Sequence, residues 1–88
     1  MRELWIGTNS ICTEGGKLTC EYFILVGETG GNFSCESYGL KVVLTERGEC
    51  AEITDISLNA DKILELGNRL CRNMVTPCAL MDIIQDWL

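Results

Sequence analysis

Eighty-eight residues, 47% of them apolar, suffice for one small domain with a single hydrophobic core. Thirteen acids stand against seven bases, with no histidine, for a formal charge of −6, and the bases are scattered. Such a surface repels phosphates, which excludes nucleic acid as a partner and disfavours an anionic membrane.

The first ten residues hold only a short apolar run, Leu4-Trp5-Ile6, where a secretory signal needs roughly 7–15 apolar residues. No run approaches the ~18 residues of a membrane span. A cytoplasmic location is expected, and with it reduced thiols. Cys12, Cys20, Cys35, Cys50, Cys71 and Cys78 form no close C-x-x-C pair and read as mostly structural thiols.

Residues 3–12 read as a strand weakened by Gly7 and Asn9. Glu14-Gly15-Gly16-Lys17 supplies a tight turn. Residues 18–26 form a strong strand, with Leu18, Cys20, Tyr22, Ile24 and Val26 on one face and Thr19, Glu21, Phe23 and Leu25 on the other. The glycine-rich stretch 27–32 reads as a hairpin loop. It lacks the terminal Lys-Ser/Thr of a phosphate-binding loop.

Residues 33–46 are long for one strand. Tyr38, Leu40, Val42 and Leu44 alternate, while Phe33 and Cys35 have the opposite parity, which predicts a bulge or break near Ser37 or Gly39. After a turn at Arg47-Gly48, residues 49–56 make a fourth strand with Ala51 and Ile53 inward.

The period then changes from 2 to 3.6. Asn59 caps a helix with Asp61 in its first turn and Arg69 and Arg72 near its end. Its apolar seam is Ile63, Leu66, Leu70 and Met74, and Gly67 marks close packing on the sheet or the next helix. Thr76 and Pro77 start the last helix, whose stripe is Leu80, Ile83, Ile84 and Trp87.

Short connections make spatial neighbours of sequential elements. The expected fold is therefore α+β: a four-stranded antiparallel meander (1–57) followed by a two-helix hairpin (58–88) packed on one sheet face, all in one domain. The other face carries Phe23 and Leu25, with Trp5 or Ile11 beside them. Apolar residues on a face without a lid predict a protein interaction surface, and a homodimer through it.

Three stretches resemble a family of short proteins of unknown function from clostridia and related Firmicutes. They are Tyr38-Gly39-Leu40-Lys41-Val42, Asp55-Ile56-Ser57, and Val75-Thr76-Pro77 with Leu80, Asp82, Ile83, Ile84 and Asp86. The resemblance implies a bacterial cytosolic protein and brings no activity with it. Members of that family often carry a histidine at the position of Ala79.

Three kinds of chemistry remain to be weighed. Cys78, in the first turn of the last helix, is the candidate reactive thiol, because a helix N-terminus favours a thiolate, though no histidine is present as a base. Zinc sites use close pairs of ligands. Here the nearest pairs are Cys71 with Cys78, and Cys12 with Cys20, which lie opposite each other only if the first hairpin has a three-residue loop. Asp82 and Asp86 share a helical face and read as a solvated surface near Arg69 or Arg72, or as a surface for a basic partner.

The expectation is a binding module without catalysis or cofactor, with Trp5, Phe23, Leu25, Asp82 and Asp86 as its interaction residues. Its partner is an unknown protein, a second copy of itself, or both. The competing expectation is a thiol-dependent enzyme or a cysteine-based metal module.

Overall fold

The computed structural model describes residues 2–29 and 35–87. Strands β1 (Arg2–Thr13), β2 (Gly16–Thr29), β3 (Cys35–Leu44) and β4 (Glu49–Ser57) form one antiparallel sheet in that order. Helices α1 (Ala60–Arg72) and α2 (Pro77–Trp87) dock on one face of it. α1 reaches across all four strands, whereas α2 covers β3 and β4. The α+β meander with two terminal helices is the fold that this pattern of residues produces.

The alternating residues of β2 and β3 meet the apolar stripes of the helices. Cys20, Tyr22, Ile24, Val26, Leu40, Val42 and Leu44 form the sheet side of the core, closed by Ile63, Leu66 and Leu70 from α1 and Leu80 and Ile84 from α2. Ala51, Ile53 and Ile83 pack at its margin. The side chain of Trp87 lies outside the described part.

The hairpins refine the expected boundaries. Thr13 pairs with Gly16, so the first loop is Glu14-Gly15 alone, and Gly16 takes a φ of 122° that suits glycine. This register sets Asn9, not Cys12, opposite Cys20; Cys12 lies opposite Lys17 on the other face of the sheet. The stretch expected as the second turn begins as strand. Gly27, Glu28 and Thr29 continue β2, because they pair with Ser37, Glu36 and Cys35. The rest of that stretch lies outside the described residues.

β1 contains a bulge. Trp5 pairs with Phe23 and Gly7 with Tyr22, so Ile6 is an extra residue between them. Beyond it the parity of the strand is inverted. Trp5 stays on the face away from the helices, while Ile11, opposite Leu18, moves to the helix side. Of the two alternatives for the uncovered face, the structure therefore takes Trp5.

The break expected in the third strand lies instead in its neighbour. β3 pairs with β2 without interruption, but Tyr38 faces Ser57 and Leu40 faces Ile53, so extra residues of β4 are accommodated opposite Gly39. A side chain at position 39 would strike the Ile53 carbonyl oxygen and come within 2.8 Å of the Thr54 Cα. Asp55, in the bulge, adopts a φ of 56°. Phe33, whose parity prompted the expectation, lies outside the described residues.

α1 is capped as its sequence dictates: the Asn59 side chain accepts hydrogen bonds from the Asp61 and Lys62 amides at 2.9 and 3.2 Å. Gly67 lets the helix sit down on the sheet. A Cβ there would come 2.5 Å from Ile6 Cδ1 and 3.3 Å from Leu40 Cδ2. The helix ends in a Schellman motif, with the Val75 amide donating to Leu70 O at 3.1 Å, the Met74 amide to Cys71 O at 3.3 Å, and Met74 at φ 52°.

That turn aims the Val75 carbonyl at the sheet, where the buried Tyr22 hydroxyl donates to it at 2.9 Å. Burial pushes the Tyr22 phenol well above its ordinary range. The Cys20 thiol is also raised, by burial first, against a lowering hydrogen bond with Tyr22.

Neutral Tyr22 is thus favoured in the folded state. Above about pH 10, where an exposed tyrosine ionises, the unfolded chain loses a proton that the native chain keeps, and stability must fall as pH rises. Tyr22→Phe should cost about 1–2 kcal/mol at neutral pH, because it leaves a buried carbonyl unsatisfied. It should also flatten the alkaline limb. Urea denaturation at pH 7 and at pH 10–11 reads both effects.

Candidate interaction surface

Both described helices lie on one face of the sheet, and alternation along the strands leaves the other face without a helix among the described residues. Straight across it, Trp5, Phe23, Lys41 and Glu52 stand in successive pairs from β1 to β4. Trp5 is 61% exposed. Its indole N–H donates to Thr8 Oγ1 at 3.3 Å, a bond within β1 that ties the ring to its own strand. Phe23 is half-buried, and Lys41 Nζ stands 5.9 Å from its ring centroid.

The Lys41 ammonium reaches across β2 to Glu3, 2.7 Å from its Oε1. That hydrogen bond holds Lys41 above its ordinary range. Leu25 lies in the strand that the pair spans, directly between Glu3 and Gly39. Although it faces away from the helices, it is only 1% exposed and lies outside the helix-side core. Leu25 is thus a floor of this face and offers no contact area. Toward the other end the face turns polar. The Thr19 amide donates to Glu46 Oε1 at 2.6 Å, which keeps that carboxyl below its ordinary range.

Asp82 and Asp86 are exposed on α2, on the opposite side of the sheet from Trp5 and Phe23. The five expected residues therefore do not make one surface. Of Arg69 and Arg72, either of which was expected near Asp82, Arg69 lies 3.6 Å from Glu65 within its own helix, and neither Asp82 nor Asp86 has an ion-pair partner among the described residues.

Cys78 is exposed in the first turn of α2. Cys12 and Cys50 are exposed on the uncovered face, while Cys71 is sheltered, with Sγ 3.0 Å from where a Cβ on Gly7 would sit. The hairpin register separates Cys12 from Cys20. Among the described residues, no group of three Cys, Asp or Glu side chains is arranged to hold a metal ion. No described helix is long and apolar enough to cross a membrane.

A second feature lies at the β4 bulge. Ser37, 5% exposed, donates to Asp55 Oδ1 at 2.6 Å. Both line a pocket of about 280 Å³ with Ile56, Ser57 and Leu58. Asp55 satisfies a buried hydroxyl here, which gives the carboxylate a structural task.

The chain matches a Family of unknown function (DUF6514) over residues 2–88. It belongs to that family. No curated protein and no solved structure matches it. In this DUF6514 chain, the stretches that first suggested a family meet on the β3–β4 side of the fold. Tyr38 pairs with Ser57, Gly39 lies against Ile53 and Thr54, and α2 covers both strands. Val75 receives the Tyr22 hydroxyl, and Leu80 and Ile84 are buried. These residues do structural work, as close approach, turn and lid.

Sequence periodicity did not reveal the Glu3–Lys41 pair or the Ser37–Asp55 bond, because each depends on register between strands. A lysine alternating onto the same outer face as Phe23 was the available signal for the first. Native-state alkylation with mass mapping checks the thiols: Cys12, Cys50 and Cys78 should label at similar rates and Cys20 should resist. A Cys78 rate at least a hundredfold above the other two would instead mark an activated thiolate.

Proposed function

We propose that this DUF6514 chain is a small non-catalytic interaction module of a bacterial cytoplasm. It docks a protein partner on the uncovered sheet face and associates with a second copy of itself. The observation that carries the reading is Trp5, a large aromatic left 61% exposed beside Phe23 on a face without a helix. Tryptophan is a typical anchor of protein interfaces.

The size of the face supports the reading. The four strands, of 12, 14, 10 and 9 residues, side by side give an area of roughly 700 Å², from ~3.3 Å per residue and ~4.8 Å per strand. A specific interface takes about 800 Å² from each partner. The charge of −6 favours a protein partner over nucleic acid or an anionic membrane. Between the two groups of candidate contacts, the Trp5 face is preferred to Asp82 and Asp86, which are solvated acids on a helix.

The test is affinity capture from an extract of the source organism, run with the native chain, with Trp5→Ala, and with Asp82→Asn plus Asp86→Asn. The expected result is a stoichiometric partner retained by the native chain and the Asn variant and lost with Trp5→Ala. Its retention by Trp5→Ala would overturn the assignment of the face. Recovery of no partner with the native chain would overturn the docking function.

A further inference from the structure

The two edges of the sheet are unlike. β4 carries Glu49, Glu52 and Asp55 within nine residues and is distorted by the bulge opposite Gly39. Charges and bulges are how proteins keep edge strands from pairing with other chains. β1 is twelve residues long, and from Leu4 to Thr13 it has neither a charge nor a proline. Among the described residues its neighbour in the sheet is β2, on one side only.

Apolar side chains gather at this edge. Of the six large hydrophobic residues exposed among those described, Leu4, Trp5 and Ile11 lie on β1, and Leu64 lies on α1, which packs against β1. Leu4 and Ile11 both face the helix side of the sheet yet remain 48% and 44% exposed. Ordinary alternation would put an even-numbered and an odd-numbered residue on opposite faces; the extra residue Ile6 brings these two to the same side.

The bulge also decides what the edge can pair with. When β1 is laid antiparallel against the full length of a second β1, Arg2 falls opposite Thr13, Leu4 opposite Ile11 and Trp5 opposite Ser10. In a regular strand these partners would point to opposite faces. Here each pair shares a face: Arg2, Leu4, Ile11 and Thr13 on the helix side, Trp5 and Ser10 on the other. The central bulge divides the ladder into two arms, and the two-fold axis makes each contact occur twice.

We propose that the DUF6514 chain dimerises by antiparallel pairing of β1 with β1 of a second copy, joining two sheets into one of eight strands. Self-complementarity in both arms of the strand selects a second copy over a foreign extended segment. The Leu4–Ile11 pairs close the helix side of the seam. The self-association suggested above thus runs through the edge, and the uncovered face stays available to a partner. The dimer does not depend on that partner.

The test uses charge swaps at Leu4 and Ile11, whose side chains are half in solvent and point away from the partner face. The native chain should show a dimer whose mass by sedimentation rises with concentration, and amide exchange in β1 should slow in parallel. Leu4→Lys combined with Ile11→Lys sets like charges opposite each other twice and should raise the dissociation constant about tenfold or more. Leu4→Lys combined with Ile11→Glu sets opposite charges there and should restore dimerisation to within a few-fold of native. Circular dichroism confirms that each variant folds.

Three results would overturn the proposal: a native monomer at high micromolar concentration, a dimer indifferent to both pairs of substitutions, or a dimer that slows exchange in β3 and β4 while leaving β1 unchanged. None of them bears on whether Trp5 docks a protein partner, which the capture experiment reads separately.

Discussion

The extra residue in β1 is the constraint on which the arrangement of this protein depends. Had Ile6 and Gly7 simply alternated, Ile6 would have pointed away from α1 or Trp5 into it. With both residues set against Tyr22, Ile6 enters the helix side and its Cδ1 fills the notch at Gly67. Gly7 leaves room for Cys71 Sγ, and the Asn9 side chain donates to Cys71 O at 2.8 Å. One backbone irregularity thus seats the C-terminal half of α1, while Trp5 remains on the outer face.

The second fixture closes the other half of the lid. α1 ends in a left-handed turn at Met74, an unusual place for a residue without glycine's freedom. The turn repays its strain with two backbone hydrogen bonds and delivers the Val75 carbonyl to Tyr22. Pro77 then starts α2 two residues later, over β3 and β4. The polar centre of the core is therefore Tyr22, on the strand that pairs with both β1 and β3. Both helices are positioned from it, one through the bulge and the other through the turn.

What the sequence made legible follows from which forces are local. The alternation of β2, the Asn59 cap and the Pro77 start depend on residues within a turn or two, and the structure shows them as read. Gly67 marked a close approach within its own helix pattern, though the residues it meets, Ile6 and Leu40, are distant. The bulges were not legible in the same way. Gly7 and Asn9 looked like weaknesses of a strand, but they are the points where it meets α1. Gly39 marked a crowded position correctly, while the added residues lie in the neighbouring strand, because a bulge is a property of a pair. Leu25 alternated onto the uncovered face, and only the Glu3–Lys41 bond across its strand shows how crowded that position is. Contacts between distant strands carry no periodic signature, so the candidate surface was half legible: Trp5 and Phe23 were found, and the edge that gathers Leu4 and Ile11 was not.

The central claim, that the bulge sorts the side chains of β1 between the helices and the uncovered face, can be measured directly by nuclear Overhauser contacts in solution. Cross-peaks from the Ile6 δ1 methyl to the Gly67 α protons and a Leu40 methyl, with the Trp5 ring near Phe23, are the predicted result. Cross-peaks from Ile6 to the Trp5 or Phe23 rings, with none to Gly67, would contradict it.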